Sequence, residues 1–281
     1  MAGTLYVIAT PLGNLDDLSP RATELLEQVD RIACEDTRRT ARLLARHQIS
    51  TPMSSCHKHN EQARIPELLG LIAGGGDIAL VSDGGTPAVS DPGSLLVDQV
   101  HAHGFQVVPV PGPSAVTTLL SASGLPADRY VFDGFLPHRG GERRRRLREL
   151  ASEQRTVVLF ETPHRIQEAL TDMDAILGER LIVLGRELTK VHEQILRGTA
   201  AALGEALIAG SVKGEFCLAI AGAGKDDPGR TADQDELVAS FRNAMAEHGN
   251  DRRAALRSLT RSTGLKKAAL YRSLVEAGEL D

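Results

Sequence analysis

The sequence VSDGGTPAVSDPG, residues 81–93, decides the fold class because it connects an aliphatic run to a helical pattern through a loop of small residues. It contains three glycines, two prolines and three small hydroxyl residues, and this composition lets the backbone approach a ligand closely. Two similar loops, TPLGNL at 10–15 and PGPSA at 111–115, also lead from a strand pattern into a helix. Ligands of α/β sheets bind outside the carboxyl ends of the strands. We therefore expect these loops to line a small-molecule pocket, with ordinary well-formed turns as the alternative.

Around these loops, aliphatic runs alternate with helical patterns over about 220 residues, which predicts α/β layering. The segment VPVPGPSA, residues 108–115, interrupts the alternation with three prolines, so we place a domain junction there. We predict an N-terminal α/β domain at 1–112, a C-terminal α/β domain at 113–222, and an active-site cleft between the two α/β domains. The predicted strands lie at 4–9, 31–34, 77–82, 106–109, 130–132, 156–161, 181–184, 193–197 and 214–221, with helices in the second domain near 142–153, 164–177 and 200–209.

After residue 222 the composition changes to GAGKDDPGRTADQD, which is rich in glycine and aspartate and buries little apolar surface. We predict a linker at 223–232 and a small C-terminal helical extension at 233–281. Within the extension, residues 252–278 indicate two short helices around Thr263 and Gly264, an arrangement that resembles a helix-turn-helix. A plain helical cap is the alternative.

The composition excludes several classes of protein. The chain has 281 residues and a net charge of -5, and its 42% hydrophobic content is typical of a globular protein. Cys34, Cys56 and Cys217 form no C-x-x-C pair, which argues against a disulfide framework or a zinc ribbon and favours a reducing cytoplasm. No apolar run reaches the roughly 18 residues of a membrane span, and MAGTLYVIAT at the start lacks the basic region of a signal peptide. We expect a cytoplasmic protein that is neither exported nor inserted in a membrane.

The chain contains partial matches to familiar cofactor-binding and nucleophile motifs, but the surrounding sequence argues against each of them. GGGDIA at 74–79 precedes a strand instead of opening a helix, which argues against a dinucleotide-binding fingerprint. Asp226 stands where a P-loop needs serine or threonine. GPSAV at 112–116 lacks the last glycine of a nucleophile elbow, so a hydrolase is disfavoured. His57 and His59 lack the spacing of a zinc site, so we predict no metal.

Two clusters of basic residues point to a polyanionic partner. RGGERRRRLR at 139–148 has six arginines and one glutamate, and 251–272 has seven basic residues and one acid. Such clusters attract phosphates, and arginine offers them a bidentate fork. Nucleic acid is therefore a candidate partner, with a solvated helix face as the alternative.

Eight motifs, in this order and spacing, resemble the ribosomal RNA branch of the tetrapyrrole methylase superfamily over residues 3–222. They are TPLGNLDDLSPRA, CEDTRRT, HKHNE, VSDGGTPAVSDPG, PVPGPSA, LFETPHRI, RELTKVHE and KGEF. The resemblance implies two α/β domains that hold S-adenosylmethionine between them, a homodimer, and 2'-O-methylation of a cytidine ribose in the decoding region of 16S rRNA. It also implies 16S rRNA or the 30S ribosomal subunit as the partner. Related tetrapyrrole methylases have a first loop of the GPGD type, and TPLGN in this chain favours the ribosomal subgroup.

The same resemblance implies that the cofactor residues lie in the three loops and after one strand of the second domain. The candidates are Pro11, Leu12, Ser82, Asp83, Gly84, Gly85, Thr86, Ser114, Ala115 and Thr162. A sulfonium ligand is polar but singly charged. It therefore requires backbone donors, backbone acceptors and a matching shape, without a phosphate cradle or a metal.

The expected chemistry is direct in-line methyl transfer, with orientation supplying most of the rate and a base removing the alcohol proton. Glu35, in CEDTRRT, is the first candidate for the base or for a group that orients the substrate, and Asp36 lies beside it. Lys190 is the second candidate, because burial can lower the pKa of a lysine towards neutrality. Glu187 lies in the same motif as Lys190. An ordinary salt bridge is the alternative for each.

Basic side chains are the candidates for contacts to RNA phosphates. They are Arg38, Arg39, Arg143, Arg144, Arg145, Arg146, Arg165, Arg252, Lys266 and Lys267. Two other functions stay open. One is methylation of a tetrapyrrole in cobalamin or sirohaem biosynthesis, since such a substrate is also polyanionic. The other is a non-catalytic, RNA-binding role in ribosome assembly. The helical extension favours ribosomal RNA.

Overall fold

The computed structural model describes residues 1–208, 213–224, 228–249, 251–263 and 267–280. The strands of its first sheet are β1 Thr4–Ile8, β2 Arg31–Cys34, β3 Met53–Ser55, β4 Ile78–Val81 and β5 Gln106–Val110. They are all parallel and lie in the order β3-β2-β4-β1-β5. β3 has no counterpart among the predicted strands, because its three half-buried residues, MSS, show neither an apolar run nor an alternation.

Helices cover both faces of this sheet. They are α1 Pro20–Gln28, α2 Thr37–Arg46, α3 Glu61–Ala73 and α4 Ser94–Ala102. Successive residues of a strand point to opposite faces. Ile32 and Cys34 of β2 therefore pack with α1 and α2, whereas Ala33 packs with α3 and α4. Because each helix follows the carboxyl end of a parallel strand, the loops that enter α2 and α4 share one edge of the sheet.

The second sheet is mixed. Its strands are β6 Tyr130–Phe135, β7 Thr156–Glu161, β8 Ile182–Arg186, β9 Gln194–Gly198 and β10 Phe216–Ile220. They lie in the order β6-β7-β10-β8-β9, with β6 and β7 parallel and the other neighbours antiparallel. The helices around it are α5 Ala115–Ser123, α6 Gly140–Ala151, α7 Ile166–Leu177 and α8 Ala200–Ile208. α5 packs on one face and α6, α7 and α8 on the other. The prediction of two α/β sheets is confirmed.

The C-terminal part has α9 Pro228–Glu247, α10 Arg252–Thr263 and α11 Lys267–Glu276. Phe241, Leu256 and Leu274 share a hydrophobic core that joins the three helices. α9 begins at Pro228, so residues 228–232, predicted as part of a linker, belong to a helix. A proline is favoured in the first turn of a helix, which the composition argument overlooked. The turn at 264–266 lies outside the described residues, and the helix-turn-helix interpretation stays a prediction.

No helix in the described ranges combines the length and the apolar character that a membrane crossing requires.

Candidate active site

The three strand-end loops contact one another through backbone hydrogen bonds. The Thr10 amide donates to the Gly85 carbonyl at 2.9 Å, and the Gly85 amide donates to the Thr10 carbonyl at 2.8 Å. The Thr86 hydroxyl donates to the Pro113 carbonyl at 3.2 Å. The loops at 10–15, 82–86 and 111–115 therefore form one connected wall at the carboxyl edge of the first sheet, as the sequence predicted.

The glycines of the second loop allow this close approach. A Cβ atom added at Gly84 would lie 3.2 Å from the Pro11 carbonyl oxygen, and one at Gly85 would lie 3.2 Å from Cδ2 of Leu12. Gly85 also has a φ of +91°, which strains any residue with a side chain. The Ser82 side chain is turned inward, with its hydroxyl donating to the Gly85 carbonyl at 3.4 Å. Backbone groups and small side chains thus line the wall.

The second sheet presents its own loops at a single edge. In the register of β7, β10 and β8, Glu161 lies opposite Phe216, and Phe216 lies opposite Arg186. At that edge, Thr162 follows β7, Glu187 follows β8, and Glu215 precedes β10. Thr162, predicted as a fourth cofactor contact, therefore lies at the same edge as the RELTKVHE motif, with β10 between them. Its role stays a prediction.

The two edges contact each other across the molecule. The Asn14 amide of the first loop donates to the Thr189 hydroxyl at 3.1 Å. Gly134 of β6 faces the loop between β4 and α4, where a Cβ atom would lie 3.1 Å from Oγ of Ser90. Ser114 and Ala115 begin α5, which continues from the third loop onto the second sheet. The loops of the first sheet thus meet the second sheet at one junction, and the assignment of cofactor residues there stays a prediction.

Three carboxyl groups lie beside the second loop. Burial raises the pKa of Glu35, and the negative charge of Asp83 raises it further. Burial also raises the pKa of Asp83. The pKa of Asp91 rises to about 6, because burial and the negative charges of Glu35, Asp83 and Glu215 outweigh a hydrogen bond from Ser82. A raised pKa increases the proton affinity of a carboxyl group, which suits it to act as a general base.

Asp36 has a different environment from Glu35. Its carboxylate accepts hydrogen bonds from the Arg38 amide at 2.8 Å and from the Arg38 guanidinium, which hold its pKa below the usual range. Its own amide donates to Oδ1 of Asp83 at 2.9 Å. Asp36 therefore caps the N-terminus of α2 and orients Asp83, so its side chain suits a positioning role better than that of a base.

Lys190 does not have the lowered pKa that its candidacy as a base requires. Its ammonium lies 2.8 Å from Oε1 of Glu187 and 3.2 Å from Oε2 of Glu215. Burial alone would lower its pKa, but these carboxylates outweigh burial and raise it. The same ion pair lowers the pKa of Glu187 despite partial burial. Both neighbours stabilise the charged amine, which argues against a neutral lysine, and the role of Lys190 as a base stays a prediction.

Several arginines of α6 are already paired with acidic side chains. The Arg143 side chain is only 4% exposed, with Nε 2.6 Å from Oδ2 of Asp172 and Nη2 3.2 Å from Oε2 of Glu168. Arg146 makes a two-point contact with Asp133, in which Nε lies 2.9 Å from Oδ2. The prediction that Arg143 contacts RNA is wrong because the side chain is buried. The guanidinium of Arg146 is already paired with Asp133.

The other candidates in this half divide by exposure. Arg165 donates to Oε2 of Glu161 at 3.0 Å and to the Leu136 carbonyl at 2.5 Å, and its side chain is 13% exposed. It joins two loops of the second sheet, so the predicted RNA contact is wrong for it too. Arg144 and Arg145 are exposed and form ion pairs of 3.4 Å with Asp172 and 4.0 Å with Glu149. Their contact to RNA stays a prediction.

The candidates on α2 are exposed next to the carboxyl groups. The Arg38 side chain is 88% exposed, and that of Arg39 is 58% exposed at 3.5 Å from Asp83. Arg252 is exposed at the start of α10. Lys266 lies outside the described residues. Lys267 is the first residue of α11, and its side chain also lies outside the described part of the chain.

Sequence reasoning missed four residues of this junction: Gly13, Asp91, Thr189 and Glu215. Asp91 lies in the VSDGGTPAVSDPG motif. Its position between Ser90 and Pro92, in a tight loop after a strand, could have identified it as a candidate. Glu215 stood in the quoted KGEF motif. Gly13 and Thr189 act through contacts between distant segments, which no local sequence pattern predicts. Among the described residues, His, Cys, Asp and Glu form no group that could hold a metal ion.

Comparisons with solved structures agree with the observed fold. The chain resembles a cobalt precorrin-4 methyltransferase of cobalamin biosynthesis with a TM-score of 0.59 and 18% identity, covering 78% of this chain and 94% of that one. It resembles the methyltransferase CobJ with a TM-score of 0.60 and 20% identity, covering 79% and 95%. A uroporphyrin-III C-methyltransferase from Thermus thermophilus, complexed with S-adenosyl homocysteine, has a TM-score of 0.56 and 18% identity, covering 78% and 97%. At these identities the likeness concerns the fold.

Sequence comparisons are closer. The chain is 46% identical over 275 residues to a Synechocystis protein named ribosomal RNA small subunit methyltransferase I, with 98% of each chain covered. It is 42% identical over 278 residues to a Pseudomonas aeruginosa protein of the same name, again with 98% of each covered. A family model described as Tetrapyrrole (Corrin/Porphyrin) Methylases matches residues 4–204, well over half of the chain. On sequence and fold together, the chain belongs to the tetrapyrrole methylase family of methyltransferases.

Proposed function

We propose that the chain transfers a methyl group from S-adenosylmethionine to the 2'-oxygen of a cytidine ribose in the decoding region of 16S rRNA. The observation that carries the proposal is the near full-length similarity to relatives whose name is ribosomal RNA small subunit methyltransferase I. The nucleotide, the 2'-oxygen and the decoding region come from the family resemblance of the motifs.

The junction of the three loops fits a sulfonium donor. Its wall offers backbone amides and carbonyls at close spacing, because the lack of side chains at Gly84 and Gly85 lets the first and second loops pack closely together. Pro11, Leu12 and Thr86 stand around these glycines. A singly charged ligand needs such polar backbone groups and a matching shape more than a phosphate cradle. The Thermus thermophilus enzyme of similar fold, whose structure contains S-adenosyl homocysteine, is consistent with this assignment.

The reaction needs orientation and a proton acceptor. When bound, the donor supplies a methyl group on a positively charged sulfur, which the 2'-oxygen attacks in line. Glu35 is the first candidate to accept the hydroxyl proton or to orient the hydroxyl, because burial and Asp83 raise its pKa towards the working pH. Asp91, with a pKa near 6, is an additional candidate. We assign Lys190 a positioning role in place of a role in proton transfer.

Helix α2 is the surface best suited to bring RNA to these carboxyl groups. Its arginines Arg38, Arg39 and Arg42 are exposed in its first two turns, next to Glu35 and Asp83. The helix N-terminus adds partial positive charge at the same place. The surface ion pairs of Arg38 and Arg39 are weak enough for phosphates to displace the acids.

The remaining parts of the proposal concern assembly and location. The family resemblance supports a homodimer as the working form and a 30S subunit or 16S rRNA as the partner. A cytoplasmic location is consistent with Cys34, Cys56 and Cys217, which are free and buried.

The test begins with calorimetric titration of S-adenosylmethionine into the purified chain. Radiolabelled donor is then incubated with 30S subunits, with naked 16S rRNA and with uroporphyrinogen III, and mass spectrometry maps the methylated ribose. We expect binding, transfer to the ribosomal substrate and loss of transfer with retained binding in Glu35→Gln. Transfer to the tetrapyrrole alone would overturn the proposal in favour of tetrapyrrole biosynthesis. Binding without transfer to any substrate would overturn it in favour of an assembly role.

A further inference from the structure

The segment between β8 and β9 has an unusual backbone at the junction. Glu187 has a φ of 51° and Thr189 a φ of 65°, left-handed values that residues with side chains rarely adopt. Local bonds hold the segment in this shape. The Thr189 amide donates to Oε2 of Glu193 at 2.6 Å, and the Lys190 amide donates to the Glu187 carbonyl at 3.0 Å. The segment is therefore a rigid projection from the second sheet.

The ammonium of Lys190 is anchored to that sheet. It lies between Glu187 Oε1 at 2.8 Å and Glu215 Oε2 at 3.2 Å. The Glu187 carboxylate also accepts a hydrogen bond from the Glu215 amide at 3.1 Å, which fixes its position. At Gly214 a Cβ atom would lie 2.5 Å from Cδ of Glu187, so the chain there must pass without a side chain. These contacts leave the aliphatic part of Lys190 to extend towards the first sheet.

The aliphatic part of Lys190 lies across Gly13 of the first loop. A Cβ atom at Gly13 would lie 2.1 Å from Cγ of Lys190 and 3.1 Å from both Cδ and Cε. The backbone of Gly13 does not have the left-handed conformation that favours glycine. Glycine is therefore required at this position by the lysine and not by the turn. The adjacent Asn14 amide donates to the Thr189 hydroxyl at 3.1 Å.

We propose that Lys190 is a positioning residue that fastens the first cofactor loop to the second sheet and so determines how tightly the methyl donor is held. The inference rests on the proposed function, because it concerns the donor of that reaction. Pro11 and Leu12 immediately precede Gly13, and both contact the glycines of the second loop. Fixing Gly13 and Asn14 from the other side preorganises Pro11 and Leu12, which lowers the entropic cost of binding.

A double-mutant cycle tests the contact between Gly13 and Lys190. Gly13→Ala should weaken the binding of S-adenosylmethionine about ten-fold, because the new methyl group displaces the lysine stem. Lys190→Ala should weaken it by a similar factor. In the Lys190→Ala background the stem is absent, so adding Gly13→Ala should change the dissociation constant by less than about two-fold. Additive effects of the two substitutions would overturn the inference.

A second arm uses a substitution that preserves shape. Thr189→Val keeps the branched side chain but removes the acceptor of the Asn14 amide, and it should weaken donor binding several-fold. Thr171→Val is the matched control, because its hydroxyl donates only to the Gln167 carbonyl within α7 at 2.9 Å. The control should bind the donor as the wild type does. Equal effects of the two threonine substitutions would contradict the inference.

The kinetic readout distinguishes positioning from general damage. We expect the KM for the donor to rise in Gly13→Ala and Thr189→Val, while the KM for the 30S subunit and the melting temperature stay at wild-type values. Equal changes in both KM values, or a fall in melting temperature that matches the loss of binding, would overturn the inference. A wild-type chain that fails to bind the donor would instead overturn the proposed function.

Discussion

Helices α2 and α6 are both rich in arginine, yet the structure uses the two sets differently. In α6, Arg143 lies 2.6 Å from Asp172 of α7, and Arg146 contacts Asp133 of β6 at two points. In α2, Arg38 pairs with Asp36 at the surface and Arg39 lies 3.5 Å from Asp83. The α6 arginines therefore hold the second sheet and its helices together, whereas the α2 arginines stay accessible beside the carboxyl groups of the junction.

The difference shows that the density of arginine along a chain does not measure the positive charge that a partner meets. The acids that pair with Arg146 and Arg143 at the shortest Nε distances, Asp133 and Asp172, come from other elements, 13 and 29 residues away. Near α2, Arg38 also makes a two-point contact with Asp36, but its side chain is 88% exposed. Burial raises the pKa of the neighbouring Glu35 and Asp83. Where acids and arginines pair, the result is stability. Where the paired arginine stays exposed, as Arg38 and Arg39 do, its charge remains available for binding.

The largest expected effect is the loss of the buried ion pair of α6. Arg143→Met removes the partner of Asp172, whose side chain is itself mostly buried, and should destabilise the fold by about 3 kcal/mol. Arg145→Met, at a neighbouring position with a 73% exposed side chain, should change stability by less than about 0.5 kcal/mol. Urea unfolding of both variants measures the difference. Similar unfolding free energies for the two variants would remove the structural role assigned to Arg143.

The next effect concerns RNA binding. Replacing Arg38, Arg39 and Arg42 together by glutamine should remove about three phosphate contacts, which lowers the slope of log K against log salt by about 2 and weakens binding about thirty-fold at 0.15 M salt. Filter binding of 16S rRNA fragments across a salt series measures the slope. The matched triple variant replaces Arg144, Arg145 and Arg148 of α6, which are also exposed. If the α6 variant loses more slope than the α2 variant, the comparison between the two helices is reversed.

A smaller effect tests the carboxyl groups near α2 through pH. The folded Asp91 keeps its proton up to about pH 6, whereas the unfolded group releases it near 3.8. Between these values the folded state binds more protons, so this group makes the protein less stable as pH rises. Asp91→Asn removes that penalty. Since Asp91 is partly exposed, the gain at pH 7.5 should be about 1 kcal/mol after solvent screening.

The measurement for Asp91→Asn is the urea midpoint of variant and wild type at pH 4 and pH 7.5. Glu35, Asp83 and Glu215 are the negative neighbours, and Ser82 is the hydrogen-bond donor. We expect no gain at pH 4, where the wild-type group is already protonated. A gain of equal size at both pH values would show that packing, and not charge, explains the change.

Much of the fold was readable from local sequence. β2 at 31–34 and β7 at 156–161 have the bounds that their aliphatic runs predicted, because buried strands are short and continuous in sequence. The three loops were readable for the same reason, since each follows such a strand. β3 was missed because it is short and polar, and its place in the sheet depends on pairing with β2.

The chemistry of the site was less readable, because it depends on contacts between distant segments. The contact that joins Asn14 to Thr189 spans 175 residues. The pKa of Lys190 is raised first by Glu187, three residues away, and then by Glu215, 25 residues away. A sequence pattern identifies which residues stand at strand ends. It does not determine which of them face an opposite charge, and that decides whether Lys190 is a base or Arg143 a phosphate ligand.

The smallest expected effect concerns the N-terminal caps of α2 and α6. Asp36 caps α2 by accepting a hydrogen bond from the Arg38 amide at 2.8 Å. Arg139 stands at the same position of α6, with φ -78° and ψ 127°, and its side chain makes no cap hydrogen bond. Arginine also places positive charge at the positive end of the helix dipole. Glu142, three residues on, is where a capping box has its glutamate.

Arg139→Ser should complete that capping box and stabilise the fold by about 0.5 kcal/mol, because the hydroxyl can accept from the amide of residue 142 while the Glu142 side chain bonds back. The exposed ion pair between Arg139 and Glu142, at 3.6 Å, contributes little to offset this. Arg148→Ser, in the last turn, is the matched control and should lose a favourable interaction with the negative helix end. Unfolding midpoints that move in opposite directions would show that α6 uses its arginines for fold stability according to position, whereas midpoints that move together would reject that reading.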